Sequence, residues 1–137
     1  GGEALPEPHR VMEAEWNARL VDDILIQNPD AYVVVLGDLN DYYDSAPLRA
    51  LTEGSIPGGR LVNVADALPP AERYSYIYQG VSQLLDHILV TPALAVRQVR
   101  VDVLHVNADY PPSDPEDASL RHSSDHDPLV VMFRLAP

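Results

Sequence analysis

The period of apolar positions changes along the chain, and each change marks an element. From His9 to Asn28 the residues Met12, Trp16, Leu20 and Ile24 recur every fourth position, with Val21 and Leu25 beside them. That spacing predicts one stripe of an amphipathic helix. Asn28-Pro29 ends it, because proline disfavours helical geometry in the residue before it. Tyr32 to Leu36 (YVVVL) is a short apolar run, which predicts a strand covered on both faces. A helix leading into a buried strand points to α/β layering. Ser45 can cap a short helix reaching Leu51, with Pro47 early in it and Gly54 as its stop. YSYIY (74–78) and DHILV (86–90) predict two strands joined through Gly80. Val99, Val101, Val103 and His105 alternate with Arg100, Asp102 and Leu104, a strand with one more polar face. PLVVMFRL (128–135) supplies a final strand. The segments 1–8, 54–59 and the proline-rich acidic stretch 109–119 are expected to be loops. No internal repeat appears, so residues 1–137 are read as one unit.

Composition supports a folded core. The hydrophobic fraction is 46% and the charged fraction 22%, which is globular rather than disordered. No apolar run approaches the roughly 18 residues of a membrane span. The opening GGEALPEPHR has neither the basic start nor the apolar stretch of a secretion signal. With no cysteine, disulfides and thiolate metal sites are excluded, and the compartment is left open. The net charge is −12, and all nine basic residues are arginines standing singly. Proteins that grip nucleic acid by its phosphates usually carry a basic patch, and none is visible here. The acidic excess fits either a solvated surface or carboxylates gathered around a divalent cation.

Three polar clusters lie at the ends of apolar strands: Gly37-Asp38-Leu39-Asn40 after YVVVL, Asp86-His87 opening DHILV, and Ser124-Asp125-His126 before PLVVMF. Strand-end loops are where α/β folds place functional groups. Each cluster alone has a plainer reading. Gly, Asp and Asn favour turns, Asp86 could cap a strand, and Asp125-His126 could be surface loop.

Taken in order, GDLND (37–41), YSYIYQG…QLLDHILV (74–90) and SSDHDPLVV (123–131) resemble the endonuclease/exonuclease/phosphatase superfamily. The resemblance covers nearly the whole chain. It implies an α/β (α+β) fold, one half of a four-layer sandwich with a mostly antiparallel mixed sheet backed by helices. It also implies roles. Asp38 would orient or deprotonate the attacking water, and Asn40 would donate to a phosphate oxygen. Asp86 would accept from the imidazole of His126, which would contact the scissile phosphate. Asp125 would ligate a divalent metal, Mg2+ or Mn2+. Leu39 stands where the family more often has Phe, a packing change only.

These residue types suit the chemistry. Phosphodiesters resist hydrolysis because their anionic phosphate repels hydroxide and the leaving alkoxide is poor. A hard dication offsets that charge, a nearby carboxylate positions water, and an Asp–His pair favours the cationic imidazole.

Among the other histidines, His87 follows Asp86 and should face the opposite side of a strand. His105 reads as structural, His122 as part of a loop, and His9 as near the start of the chain.

The family domain has two similar halves, and the first supplies an Asn and a Glu to the metal and an Asn-x-His strand. No such residues are found here; Glu3 and Glu7 match no such motif. The chain is therefore expected to be the C-terminal half, inactive alone, binding metal weakly. It should pair with the other half or self-associate through an exposed sheet face. The Tyr-rich 74–80 segment followed by LLDHILV resembles secreted bacterial nucleases, which implies a nucleic-acid substrate and an extracellular or periplasmic setting. A phosphatase or a lipid or small-molecule phosphodiesterase is the alternative within the superfamily. A non-catalytic interaction module is the alternative outside it, although five intact site residues argue against decay.

Overall fold

A computed structural model describes residues 6–54, 59–110, 116, 119 and 121–135. In chain order these form α1 (Glu7–Gln27), β1 (Val34–Asp38), α2 (Ala46–Thr52), β2 (Val62–Asn63), β3 (Tyr76–Tyr78), β4 (Val81–Gln83), β5 (Asp86–Val90), α3 (Pro92–Ala95), β6 (Gln98–Val103) and β7 (Leu129–Phe133). The strands pair antiparallel as β1-β5-β2, β3-β4 and β6-β7. The architecture is mixed α+β, as expected. None of these helices is long and apolar enough to cross a membrane.

α1 begins with prolines that fit a first helical turn and ends at Asn28, whose extended backbone leads into Pro29. It includes His9, which therefore lies within a helix. Its buried face is Ala14, Ala18, Val21 and Leu25, while Met12, Trp16, Leu20 and Ile24 are 52%, 64%, 55% and 43% exposed. The stripe of largest apolar residues is thus not the one that packs. Spacing 14-18-21-25 also follows the helical period, and alanine lets α1 approach its neighbours closely. Substitution separates the two faces. Ala18→Leu should destabilise the fold by about 1–3 kcal/mol through overpacking, and Trp16→Ala by no more than about 0.5 kcal/mol. Urea denaturation of both variants checks this, and equal losses would contradict the assignment.

The α1 face packs on Leu48 and Leu51 of α2, Leu61 and Leu89, with Val33, Val35 and Leu39 alongside. β1 is an edge strand, and Val34 and Leu36 on its other face are 43% and 65% exposed. The expectation that YVVVL is covered on both faces is therefore corrected: it alternates. A second core joins Val64, Ala65, Leu68, Leu84, Val90, Leu94 and Val101, backed by Ile88, Val131 and Phe133. β5 is wedged between the two cores, with Leu89 in one and Val90 in the other.

Ser45 caps α2 as expected, its hydroxyl accepting from the Leu48 amide at 3.4 Å. The strand reading at 74–90 needs correction. β3 does not pair with β5 but turns back onto β4, which the sequence reading missed. Gln79 and Gly80 carry φ of +50° and +80°, a two-residue turn of the kind that matches strand twist. β6 and β7 pair through Val101–Val131 and Val103–Leu129. Residues 55–58 and most of the acidic stretch 109–119 lie outside the described residues.

Candidate active site

Asp38 ends β1 and Asp86 opens β5, and the two are direct partners in the ladder. Paired residues project from one face, so the register alone sets these carboxylates side by side. Facing like charges are unfavourable in a sheet, so the pair is held by the strands rather than by mutual attraction. Gly37 has a φ of +146°, a backbone state that residues with a Cβ rarely adopt, just before Asp38. Asn40 has a φ of +50° and closes a local turn onto Asp38. Its amide N donates to Asp38 Oδ1 at 2.9 Å, and its side-chain amide to Oδ2 at 3.3 Å. The turn reading of GDLN is thus borne out, and the turn holds Asn40 against Asp38.

His126 comes from the loop ahead of β7 and donates through Nδ1 to Asp86 Oδ2 at 2.6 Å. Its ring stacks on Tyr76, with centroids 4.7 Å apart. Partial burial would lower the imidazole pKa. The hydrogen bond and charge of Asp86, with the charges of Asp38 and Asp125, outweigh it and leave the pKa raised. Potential ligand atoms of Asp38, Asp86 and His126 all lie within 4.8 Å of one another. Asp125 is exposed and outside this group, forming no hydrogen bond among the described residues. Four of the five expected residues are therefore brought together, with Asp125 contributing its charge from the rim.

Several further groups around the site were assigned no role from the sequence. Ser75 is fully buried and donates from Oγ to Asp86 Oδ2 at 2.6 Å. Asp127, 1% exposed, accepts at Oδ1 from the amides of Val106, Asn107 and Ala108. Its Oδ2 accepts from His105 Nδ1 at 2.9 Å. Asn107 donates to the His126 carbonyl at 2.7 Å and accepts from the Ser123 amide at 3.1 Å. Together Asp127 and Asn107 staple the His126 loop to the end of β6. Only Asp127 could have been suspected, from its place beside the motif. His105 also stacks on Tyr74, with ring centroids 4.0 Å apart. His122 sits in the same loop with Nδ1 3.1 Å from the Asn107 carbonyl.

His87 faces away from Asp86 as the strand period requires, and is 1% exposed. Asn63 Oδ1 accepts from the Ala65 amide, so its Nδ2 must donate to His87 Nδ1 at 3.0 Å. His87 Nε2 then carries the proton and donates to the Asp41 carbonyl at 3.0 Å, while the Asp41 carboxylate pairs with Arg10 at 2.7 Å. This chain of bonds fixes the back of the GDLND loop, with a neutral imidazole at its centre. Burial lowers the His87 pKa below 6.5 against the opposing pull of the Asp41 carbonyl and of Asp86 and Asp41. The unfolded chain then binds the extra proton first, so stability should fall as pH drops below about 6.5 and level off below the depressed native value. Comparing the pH dependence of unfolding for wild type and His87→Gln measures this, and superimposable curves would refute it.

A carboxylate pair, an Asp–His hydrogen bond and a turn amide thus lie together at one end of a sheet. Residues 2–126 match the model of the Endonuclease/Exonuclease/phosphatase family, and the chain belongs to that family. Its fold is of the metal-dependent phosphodiester hydrolase type. No curated protein and no solved structure matches the chain.

Proposed function

We propose that this chain is the C-terminal half of a phosphodiester-hydrolysing domain, and that the substrate is nucleic acid. The observation that carries the reading is the Asp86–His126 hydrogen bond within reach of Asp38. With Nδ1 committed to Asp86, His126 has Nε2 left to face a phosphate oxygen and stabilise charge growing on it. Asp38 orients the attacking water and accepts its proton. Asn40, whose amide lies against Asp38, donates to the phosphate.

The donors fit a hard divalent cation. Carboxylate oxygens are what Mg2+ or Mn2+ prefers, and the chain has no thiolate to favour a softer metal. Asp125 would hold the ion from the rim, and it would supply Lewis-acid offset of the phosphate charge. One exposed carboxylate is a poor cage by itself, so calorimetric titration of this chain with MgCl2 should find no micromolar site.

The half-domain reading is supported by the apolar side chains left exposed on α1 and on the edge strand β1. On this reading the isolated chain is inactive and associates with the first half or with itself. The extracellular or periplasmic setting rests on the resemblance of the 74–90 segment to secreted nucleases. The second reading, a phosphatase or a phosphodiesterase for a small or lipid-linked substrate, is favoured by the net charge of −12 without a single lysine. Supercoiled plasmid, sphingomyelin and inositol phosphates, each offered with Mg2+ to the full-length protein, separate the two. Cleavage of only the latter pair would overturn the nucleic-acid assignment.

A further inference from the structure

We propose that Ser75 and Tyr76 are positioning residues for the Asp86–His126 pair, an inference that rests on His126 being the group that faces the phosphate. The Ser75 hydroxyl shares Asp86 Oδ2 with His126 Nδ1, both at 2.6 Å. Two donors on one oxygen fix the carboxylate's rotation, which is otherwise broad for an aspartate side chain. Ser75 also acts through its backbone. Its carbonyl accepts from the Asp127 amide at 2.7 Å, so the residue after His126 is tied to the residue that holds Asp86. Its own amide donates to the Gln83 carbonyl at 2.9 Å, extending the β3–β4 hairpin by one rung. Full burial means that no water can replace the hydroxyl without rearrangement.

Tyr76 completes the arrangement on the ring face. Ser75 sits in the bend just before β3 and Tyr76 opens the strand. Ser75 holds the carboxylate, and the Tyr76 ring lies over the imidazole at 4.7 Å with an interplanar angle of 27°. One edge of His126 is held by Asp86 and one face by Tyr76, which among the described residues leaves Nε2 as the ring nitrogen without a hydrogen bond. Two adjacent residues at the start of β3 thus set the aim of a group carried by a distant loop. Holding a reacting group in its productive orientation is worth more in turnover than in affinity.

The test compares Ser75→Ala, Ser75→Thr, Tyr76→Leu and Tyr76→Phe in the full-length protein. Turnover of bis-p-nitrophenyl phosphate with Mg2+ is measured alongside imidazole 15N correlation spectra. Ser75→Ala and Tyr76→Leu should each lower kcat by roughly 10–100-fold, as loss of orienting partners typically does, with KM changed by less than about threefold. Ser75→Thr keeps the hydroxyl and Tyr76→Phe keeps the ring, so both should recover most of kcat. In the spectra, the His126 Nδ1–H signal should broaden or vanish in the two disruptive variants. The buried His87 signals should stay in place as the fold control. Full kcat and an unchanged His126 signal in both Ser75→Ala and Tyr76→Leu would overturn the proposal, as would losses that the conservative variants fail to recover. If Ser75→Ala does not fold, the Tyr76 pair decides by the same criteria. If the wild type cleaves no phosphodiester, the functional reading fails, and the His126 spectra still decide the positioning roles.

Discussion

Replacing His126 with alanine in the full-length protein should reduce magnesium-dependent cleavage of supercoiled plasmid by about 10²–10⁴-fold, the usual contribution of a positioned proton-bearing group. The size follows from the geometry. His126 lies beside Asp38 and Asp86, and its Asp86 hydrogen bond favours the protonated ring and holds it in place. Asp86→Asn should produce a loss of the same order, because an amide at that position no longer favours the imidazolium. The double variant should be little worse than either single one, since residues acting as a unit are strongly non-additive. Plasmid cleavage within a few-fold of wild type in His126→Ala would remove the residue from the mechanism. A loss in Asp86→Asn that simply multiplies the loss in His126→Ala would show that the two act separately. The 137-residue chain serves as the companion sample and should be inactive on the half-domain reading.

The largest effect on stability should come from Asp127, although it makes no contact with substrate in the proposed mechanism. Its side chain is wholly enclosed, with three backbone amides on one oxygen and His105 on the other. Enclosure raises a carboxyl pKa. Here the His105 hydrogen bond and the amides of Ala108 and Asn107 more than offset that and hold it below its ordinary value. Asp127→Ala would strand these donors in a buried space and cost about 3–5 kcal/mol. Asp127→Asn keeps one acceptor oxygen but turns an amide toward a donor, and should cost about 1–3 kcal/mol. Urea titration of this chain reads both values. A loss below about 1 kcal/mol for the alanine variant would mean that water enters and satisfies the loop.

The candidate site was legible in the sequence where its residues come in short runs at strand ends. Asp38, Asn40, Asp86 and His126 each sit in a recognisable cluster, and strand periodicity correctly set His87 apart from Asp86. Ser75 and Asn107 were not legible. Each does its work through partners 11 to 19 positions away, and nothing local distinguishes a buried serine from an exposed one. The same limit explains the α1 face. Hydrophobic size favours the Met12–Ile24 stripe, but the neighbours that decide burial, Leu48 and Leu89, lie far along the chain. β4 escaped notice because Val81-Ser82-Gln83 carries almost no apolar signal, and only the backbone turn at Gln79-Gly80 creates it.

The pairing of Asp38 with Asp86 has a consequence for how this site tolerates change. The spacing of the two carboxylates is written into a hydrogen-bonded ladder, so the sheet works as a ruler that loops cannot stretch. Insertions between β2 and β4 or after β6 can reshape what reaches the site while the ruler stays fixed. A single-residue slip of β1 against β5 would do the opposite, turning Asp38 to the far face and bringing a neighbouring residue opposite Asp86. Variation in what such a site accepts is therefore cheap at its rim, whereas its reactive distance can change only by repacking the strands.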